Sequence, residues 1–178
     1  EQAVAAMRQT VDLVVLTGAA ETGKKVLRQA AETLTPAVLE LSGADAMIVL
    51  PGAEMQYVLK AFQFGFTLNS GATCIAPRRL MVHRSLADEL LQQLASQFAG
   101  AEKYAVHPAA RNSLADALRT ATAEGASPVM EQNDARVLAE ELLTAGQMPA
   151  TVFKDATADM SVMNADIFGP FGGVIVYD

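Results

Sequence analysis

The sequence predicts an α/β fold, and three observations carry that prediction. Short apolar runs of strand type alternate along the chain with stretches in which apolar residues recur every three or four positions. Turn formers punctuate the joins, as at Thr17-Gly18, Pro36, Pro51 and Ser70-Gly71. Half of the residues are apolar (51%) and 19% are charged, enough to fill a core and too apolar for general disorder. Strands alternating with helices are the pattern of a sheet covered by helices.

The elements follow in order. Glu1 to Thr10 is expected to open the chain as a helix feeding a strand. Asp12 to Leu16 (DLVVL) reads as a buried strand and Thr17-Gly18 as the turn after it. Glu21 to Leu34 has helical spacing, with Val26, Leu27 and Ala30 on one face. Pro36 closes that region, and Ala37 to Leu41 (AVLEL) reads as the next strand, completing one βαβ unit. Ala46 to Leu50 is a short strand stopped by Pro51. Glu54 to Leu68 is helical, because Met55, Val58, Leu59, Phe62 and Phe66 recur every three or four residues. Asn69 to Cys74 breaks that pattern and reads as a loop. Arg79 to His83 reads as a strand, and Ser85 as the cap of a helix striped by Leu86, Leu90, Leu91, Leu94 and Phe98. Further on, Leu114 to Ala123 and Ala135 to Thr144 look helical. Pro128 to Met130, Thr151 to Phe153 and Val174 to Tyr177 look like strands, and Ile167 to Pro170 reads as a turn-containing loop.

Composition excludes several function classes. The net charge is −7 and no Lys/Arg cluster stands out, which argues against a nucleic-acid or anionic-membrane surface. The longest apolar runs, such as Leu13 to Leu16, are far too short to span a bilayer. Glu1 to Thr10 has no basic-plus-apolar signal pattern. A single cysteine, Cys74, excludes an internal disulfide and fits a reducing, cytoplasmic setting. His83 and His107 lie 24 residues apart (107 − 83), outside metal-ligand spacing, so no metal is expected.

Three features bear on chemistry. Cys74 follows a long amphipathic helix in a loop containing Gly71, where backbone can approach a ligand closely. A thiol there serves as a nucleophile if its surroundings favour the thiolate; read alone, a lone cysteine beside Ile75 and Ala76 is more often a small buried apolar residue. Glu40 stands inside an apolar strand. Burial would suit it to general-base work, and the alternative is a strand-end carboxylate reaching solvent. Thr17 to Gly23 joins a strand to a helix, so amides and the helix dipole could face a phosphate, although the segment is neither G-x-G-x-x-G nor a P-loop.

Together these segments resemble the aldehyde dehydrogenase superfamily. DLVVLTGAAETGKKV resembles its strand–T-G-S–helix cofactor segment, and LELSG its L-E-L-G-G motif. FTLNSGATCIAPRRLMVH resembles its F-x-N-x-G-Q-x-C loop and following strand. PATVFKDATADMSVMNADIFGPFGGVIVYD resembles its P-T-V-F…E-I-F-G-P-V segment. The four run in the family's order, and Glu40 and Cys74 lie 34 residues apart (74 − 40), as the family pattern expects.

The resemblance implies an aldehyde dehydrogenase-like α/β fold with a parallel-rich sheet and flanking helices. Residues 1–41 would be the last βαβ unit of a dinucleotide-binding domain and residues 42–178 most of a catalytic domain. It implies oxidation of a small-molecule aldehyde to an acid with NAD or NADP. Cys74 would form a thiohemiacetal and then a thioester, Glu40 would activate water, and the Cys74 N–H would face the oxyanion. Gly18, Ala19 and Gly23 would face the cofactor, Asp166 would bind the nicotinamide ribose and Phe168 would lie beside the ring. Asn69 and Gly71 would shape the loop. A homo-oligomer is expected of the full-length protein, and this chain is expected to be a piece of it with little activity alone.

Departures keep two alternatives in view. Ala19 stands for the pyrophosphate-binding serine, Ala72 for the Gln before the cysteine, Ser42 and Ala44 for Gly and Lys after the glutamate motif, and Asp166 for Glu. The changes at Ala19, Ala72 and Ala44 favour a non-catalytic homologue or oligomerisation subunit. A coenzyme A-acylating relative is the other alternative, and Glu40 argues against it.

Overall fold

The computed structural model describes residues 11–100 and 102–178, so the helix expected over Glu1 to Thr10 lies outside the described residues. The chain divides into two compact units, Glu1–Ser42 and Gly43–Asp178.

In the first unit, β1 (Val14–Gly18) runs parallel to β2 (Ala37–Leu41), joined by α1 (Ala20–Thr33). The ladder pairs Val14 with Ala37 through Gly18 with Leu41. This corrects the expected strand boundaries. The Val14 N–H donates to Pro36 O at 2.9 Å, so pairing begins at Val14, and Thr17-Gly18 is the strand's end rather than a turn. Nor is the strand buried, since Val15 is 66% exposed. α1 buries Gly23, Val26 and Ala30, while Leu27 is exposed. Leu34 ends the helix in the left-handed region (φ 55°), and its N–H reaches back to Ala30 and Ala31.

The second unit is built on a five-stranded sheet in the order β3 (Asp45–Val49), β4 (Pro77–His83), β9 (Phe171–Tyr177), β8 (Thr151–Ala156), β6 (Ser127–Pro128). Only the β6–β8 pair is antiparallel. Four helices join these strands: α2 (Met55–Thr67), α3 (Arg84–Phe98), α4 (Arg111–Ala123) and α5 (Ala135–Ala145). Successive strand residues serve opposite cores, because side chains alternate across a sheet. Val152 and Val174 join Phe62, Phe66, Leu80, Leu90 and Leu94, whereas Phe153 and Ile175 join Leu114, Leu118, Leu142 and Phe171. All five residues of the predicted α2 stripe are buried.

Three differences from the expected elements have physical reasons. Ser85 is not the cap of α3. His83 takes that place, its Nδ1 accepting the Ser85 N–H at 3.2 Å. β9 starts at Phe171 rather than Val174, because its two glycines are packing positions: a β-carbon on Gly172 would sit 2.7 Å from Arg78 O, and one on Gly173 2.8 Å from Met163 Sδ. A small antiparallel pair, β5 (Lys103–Ala105) with β7 (Gln147–Pro149), has no counterpart in the periodicity, since three-residue strands are too short to display a period.

Candidate active site

The loop carrying the sulfur is shaped by backbone strain and by one close contact. After α2, a 3-10 turn (Leu68–Gly71) takes Asn69, Ser70 and Gly71 through three successive left-handed conformations, at φ 51°, 59° and 71°. Such conformations cost an L-residue about 1 kcal/mol or more, so tertiary contacts must hold them. Gly71 supplies one: a β-carbon there would lie 2.5 Å from Gly169 C. Local bonds add to it: the Asn69 backbone carbonyl accepts the Ala72 N–H at 3.0 Å and its side-chain amide donates to Ala72 O at 3.2 Å. Cys74 follows as an exposed free thiol, so the reading of it as a small buried apolar residue does not hold. Among the described residues the Cys74 N–H donates to no protein acceptor. The Thr73 hydroxyl beside it is buried without a partner.

Beneath this loop lies a group that the sequence reading passed over. Arg78 is 4% exposed and forms no salt bridge among the described residues. Its guanidinium is satisfied by carbonyls. Nε donates to Ile167 O at 2.5 Å, Nη2 to Gly71 O at 3.1 Å, and Nη1 to Ala76 O at 3.3 Å. Both terminal nitrogens reach Thr73 O, at 3.4 and 3.3 Å. Burial lowers its pKa from the ordinary arginine value, and the negative charges of Asp166, Asp45 and Cys74 act in the opposite sense. The signal for it was available. Arg78 is in phase with Leu80 and Val82 on β4, and a charged residue in step with buried ones is unusual enough to ask what satisfies it.

The same arginine ties in a second segment. A short 3-10 turn (Ser161–Asn164) is capped by Glu124, whose Oε1 accepts from the Ser161 N–H at 3.1 Å and from its hydroxyl at 2.5 Å. The chain then presents an exposed Asp166, a buried Ile167 and a half-buried Phe168. The Arg78 Cζ lies 5.8 Å from the Phe168 ring centroid. The structure thus brings Asn69, Gly71, Cys74, Asp166 and Phe168 into one neighbourhood of the second unit, through Arg78 and the Gly71–Gly169 contact.

The remaining predicted residues lie in the first unit. Gly18 ends β1, and a β-carbon there would meet no atom within 4 Å. Ala19 is the extended N-cap of α1 (φ −74°, ψ 152°) and offers the helix no side-chain cap. Gly23 is buried, with its missing β-carbon 2.9 Å from Leu41 Cδ2, so its part is helix–strand packing. Glu40 pairs with Thr17 near the carboxyl end of β2. It is exposed, which is the strand-end reading of this carboxylate and not the buried one: β2 alternates so that Val38 and Glu40 face out. Among the described residues no cluster of three His, Cys, Asp or Glu side chains could hold a metal, and no helix is long and apolar enough to cross a membrane.

Known proteins resemble this chain along nearly its whole length. The 4,4'-diapolycopene-4,4'-dial dehydrogenase of Cytobacillus firmus is 33% identical over 169 residues, covering 93% of this chain and 36% of that protein. The succinate-semialdehyde dehydrogenase [NADP(+)] of Mycobacterium avium is 30% identical over 170 residues, covering 90% and 35%. A solved NAD+ complex of the Bacillus cereus aldehyde dehydrogenase superposes with a TM-score of 0.81 at 26% identity, over 94% of this chain and 35% of that one. The chain therefore spans about a third of the length of these relatives. The aldehyde dehydrogenase family profile matches residues 2–178, and the chain belongs to that family.

Proposed function

We propose that this chain carries the covalent chemistry of an NAD- or NADP-dependent aldehyde oxidation performed by the whole protein, with Cys74 as nucleophile and Glu40 as the base that activates water. The observation that carries the reading is an exposed thiol at the end of a strained loop, backed by a buried cation and an unpaired backbone N–H. Strain is retained where surrounding structure enforces it, and such positions cluster at reactive sites.

The chemistry follows from those groups. Cys74 Sγ bonds the carbonyl carbon of an aldehyde, giving a thiohemiacetal whose oxygen carries developing negative charge. Its oxidation to a thioester requires a hydride acceptor, which is what NAD or NADP supplies when bound. Glu40 then takes a proton from water, the resulting hydroxide attacks the thioester carbon, and the acid leaves as Cys74 regains its proton.

The cofactor's pyrophosphate would be held by Gly18 and Ala19 at the start of α1, and Asp166 and Phe168 would meet the nicotinamide riboside. The open space beside Gly18 and the absence of a side-chain cap at Ala19 suit a close backbone approach. Glu21 in the first turn opposes a phosphate, and its pairing with Lys24 at 2.6 Å moderates that charge.

An active ester tests the thiol without any cofactor. p-Nitrophenyl acetate should acetylate Cys74, releasing p-nitrophenolate, with the acetyl group found on Cys74 by mass spectrometry. Cys74→Ser should remove the modification without unfolding the chain. A chain that binds the ester but leaves Cys74 free would overturn the reading and favour a non-catalytic homologue.

A further inference from the structure

We propose that Arg78 is a positioning residue that aims the Cys74 N–H at the oxyanion, by gripping the opposite edge of the same peptide group. The inference rests on the reading of Cys74 as nucleophile. A trans peptide is planar, with its C=O and N–H pointing in opposite directions. The described chain contains no cis peptide bond, so the Thr73 carbonyl and the Cys74 N–H are the two edges of one rigid plate. Both terminal nitrogens of Arg78 converge on that carbonyl, at 3.4 and 3.3 Å. The Cys74 N–H on the far edge has no acceptor among the described residues.

Three further carbonyls fix where the guanidinium stands, and Ala76 O, at 3.3 Å from Nη1, is the nearest in sequence. Gly71 O at 3.1 Å ties it to the loop's strained start, and Ile167 O at 2.5 Å ties it to the segment bearing Asp166 and Phe168. The cation is 4% exposed, so its field is not screened by water as a surface charge would be. A cation on the carbonyl edge polarises the peptide and strengthens the N–H as a donor. Only a planar fork can reach these carbonyls together; an ammonium is a point charge. The Cys74 N–H direction is thus set by a cation carried on a strand, a rigid element, together with the loop's own Ala76 N–H, which donates to the same Thr73 O at 3.3 Å.

Two reactions of the same sulfur separate this role from simple structural support. Acetylation by p-nitrophenyl acetate builds charge on a carbonyl oxygen, and alkylation by iodoacetamide does not. In Arg78→Met the acetylation rate of Cys74 should fall at least about tenfold, the scale expected when an oxyanion donor is misaimed, while the alkylation rate does not fall. Arg78→Lys should fall less, keeping a cation without the fork. Circular dichroism identifies the folded variants, and should Arg78→Met not fold, Arg78→Lys carries the test by the same selective loss. Parallel falls in both rates, or no change in acetylation, would overturn the orienting role while Cys74 remained the nucleophile. An unsubstituted chain that is alkylated but never acetylated would overturn the nucleophile reading and this role with it.

Discussion

Gly71 and Gly169 approach so closely that a β-carbon on Gly71 would lie 2.5 Å from the Gly169 carbonyl carbon. The contact joins the loop before Cys74 to the segment after Phe168, and the obstructing atoms are backbone, which cannot swing aside. Gly71 also sits at φ 71°. Gly71→Ala should therefore combine conformational strain with overpacking and cost about 2 kcal/mol or more. Urea unfolding of the two chains measures it; an unchanged midpoint would mean that the two loops are not held together here.

Glu40 and Cys74 should divide the ester reaction between them. Formation of acetyl-Cys74 needs only the thiol, whereas its hydrolysis needs a base for water. Glu40→Gln should leave the p-nitrophenolate burst intact and slow the loss of the acetyl group by about a hundredfold, within the range usual for general-base catalysis. Mass spectra taken over time follow both steps. Equal deacylation in the two chains would remove Glu40 from the mechanism.

Glu124 should make stability acid-sensitive. Its pKa is lowered chiefly by the Ser161 hydroxyl, and further by the Ser161 and Val162 amides. A carboxylate with a depressed folded pKa contributes fully above its ordinary value of 4.5 and loses that contribution as pH falls through the lower folded value. Glu124→Gln should thus lower the melting temperature near neutral pH, and the difference from the unsubstituted chain should shrink on acidification. A difference independent of pH would contradict the capping role.

Phe62 tests the core without touching the site. It is fully buried, stacked on Phe66 at 4.8 Å and edge-on to Phe98 at 6.5 Å. Phe62→Ala should cost about 3–5 kcal/mol through lost contacts and the cavity left behind. Guanidinium unfolding gives the value, and a loss below about 1 kcal/mol would show that this helix packs loosely.

Much of this was legible in the residues. The α2 stripe of Met55, Val58, Leu59, Phe62 and Phe66 is a 3.6-residue period, and all five positions are buried. Ala37 to Leu41 was bounded by Pro36 and is a strand over those same residues. The four motifs pointed to the aldehyde dehydrogenase family, and the family match covers residues 2–178. The residues left Glu40 either buried or reaching solvent, because AVLEL looks the same whichever way its alternate side chains face. Arg78 was legible as a charge in phase with Leu80 and Val82, but what satisfies it was not. Its carbonyl partners Gly71, Thr73 and Ala76 are near in sequence but gathered by an irregular loop, and Ile167 lies 89 positions away, beyond any local pattern.

Local order was thus written in the chain itself: where helices and strands form, which faces are apolar, and that a glycine-bearing loop presents the one thiol. These depend on neighbours within a turn or two, whose spacing is read directly. Tertiary structure alone decided that Val15 and Glu40 face outward, that Gly172 and Gly173 belong to a strand, and that a buried guanidinium grips the peptide behind Cys74. Those outcomes depend on strand register and on carbonyls brought together by folding, and neither quantity exists until distant segments have met.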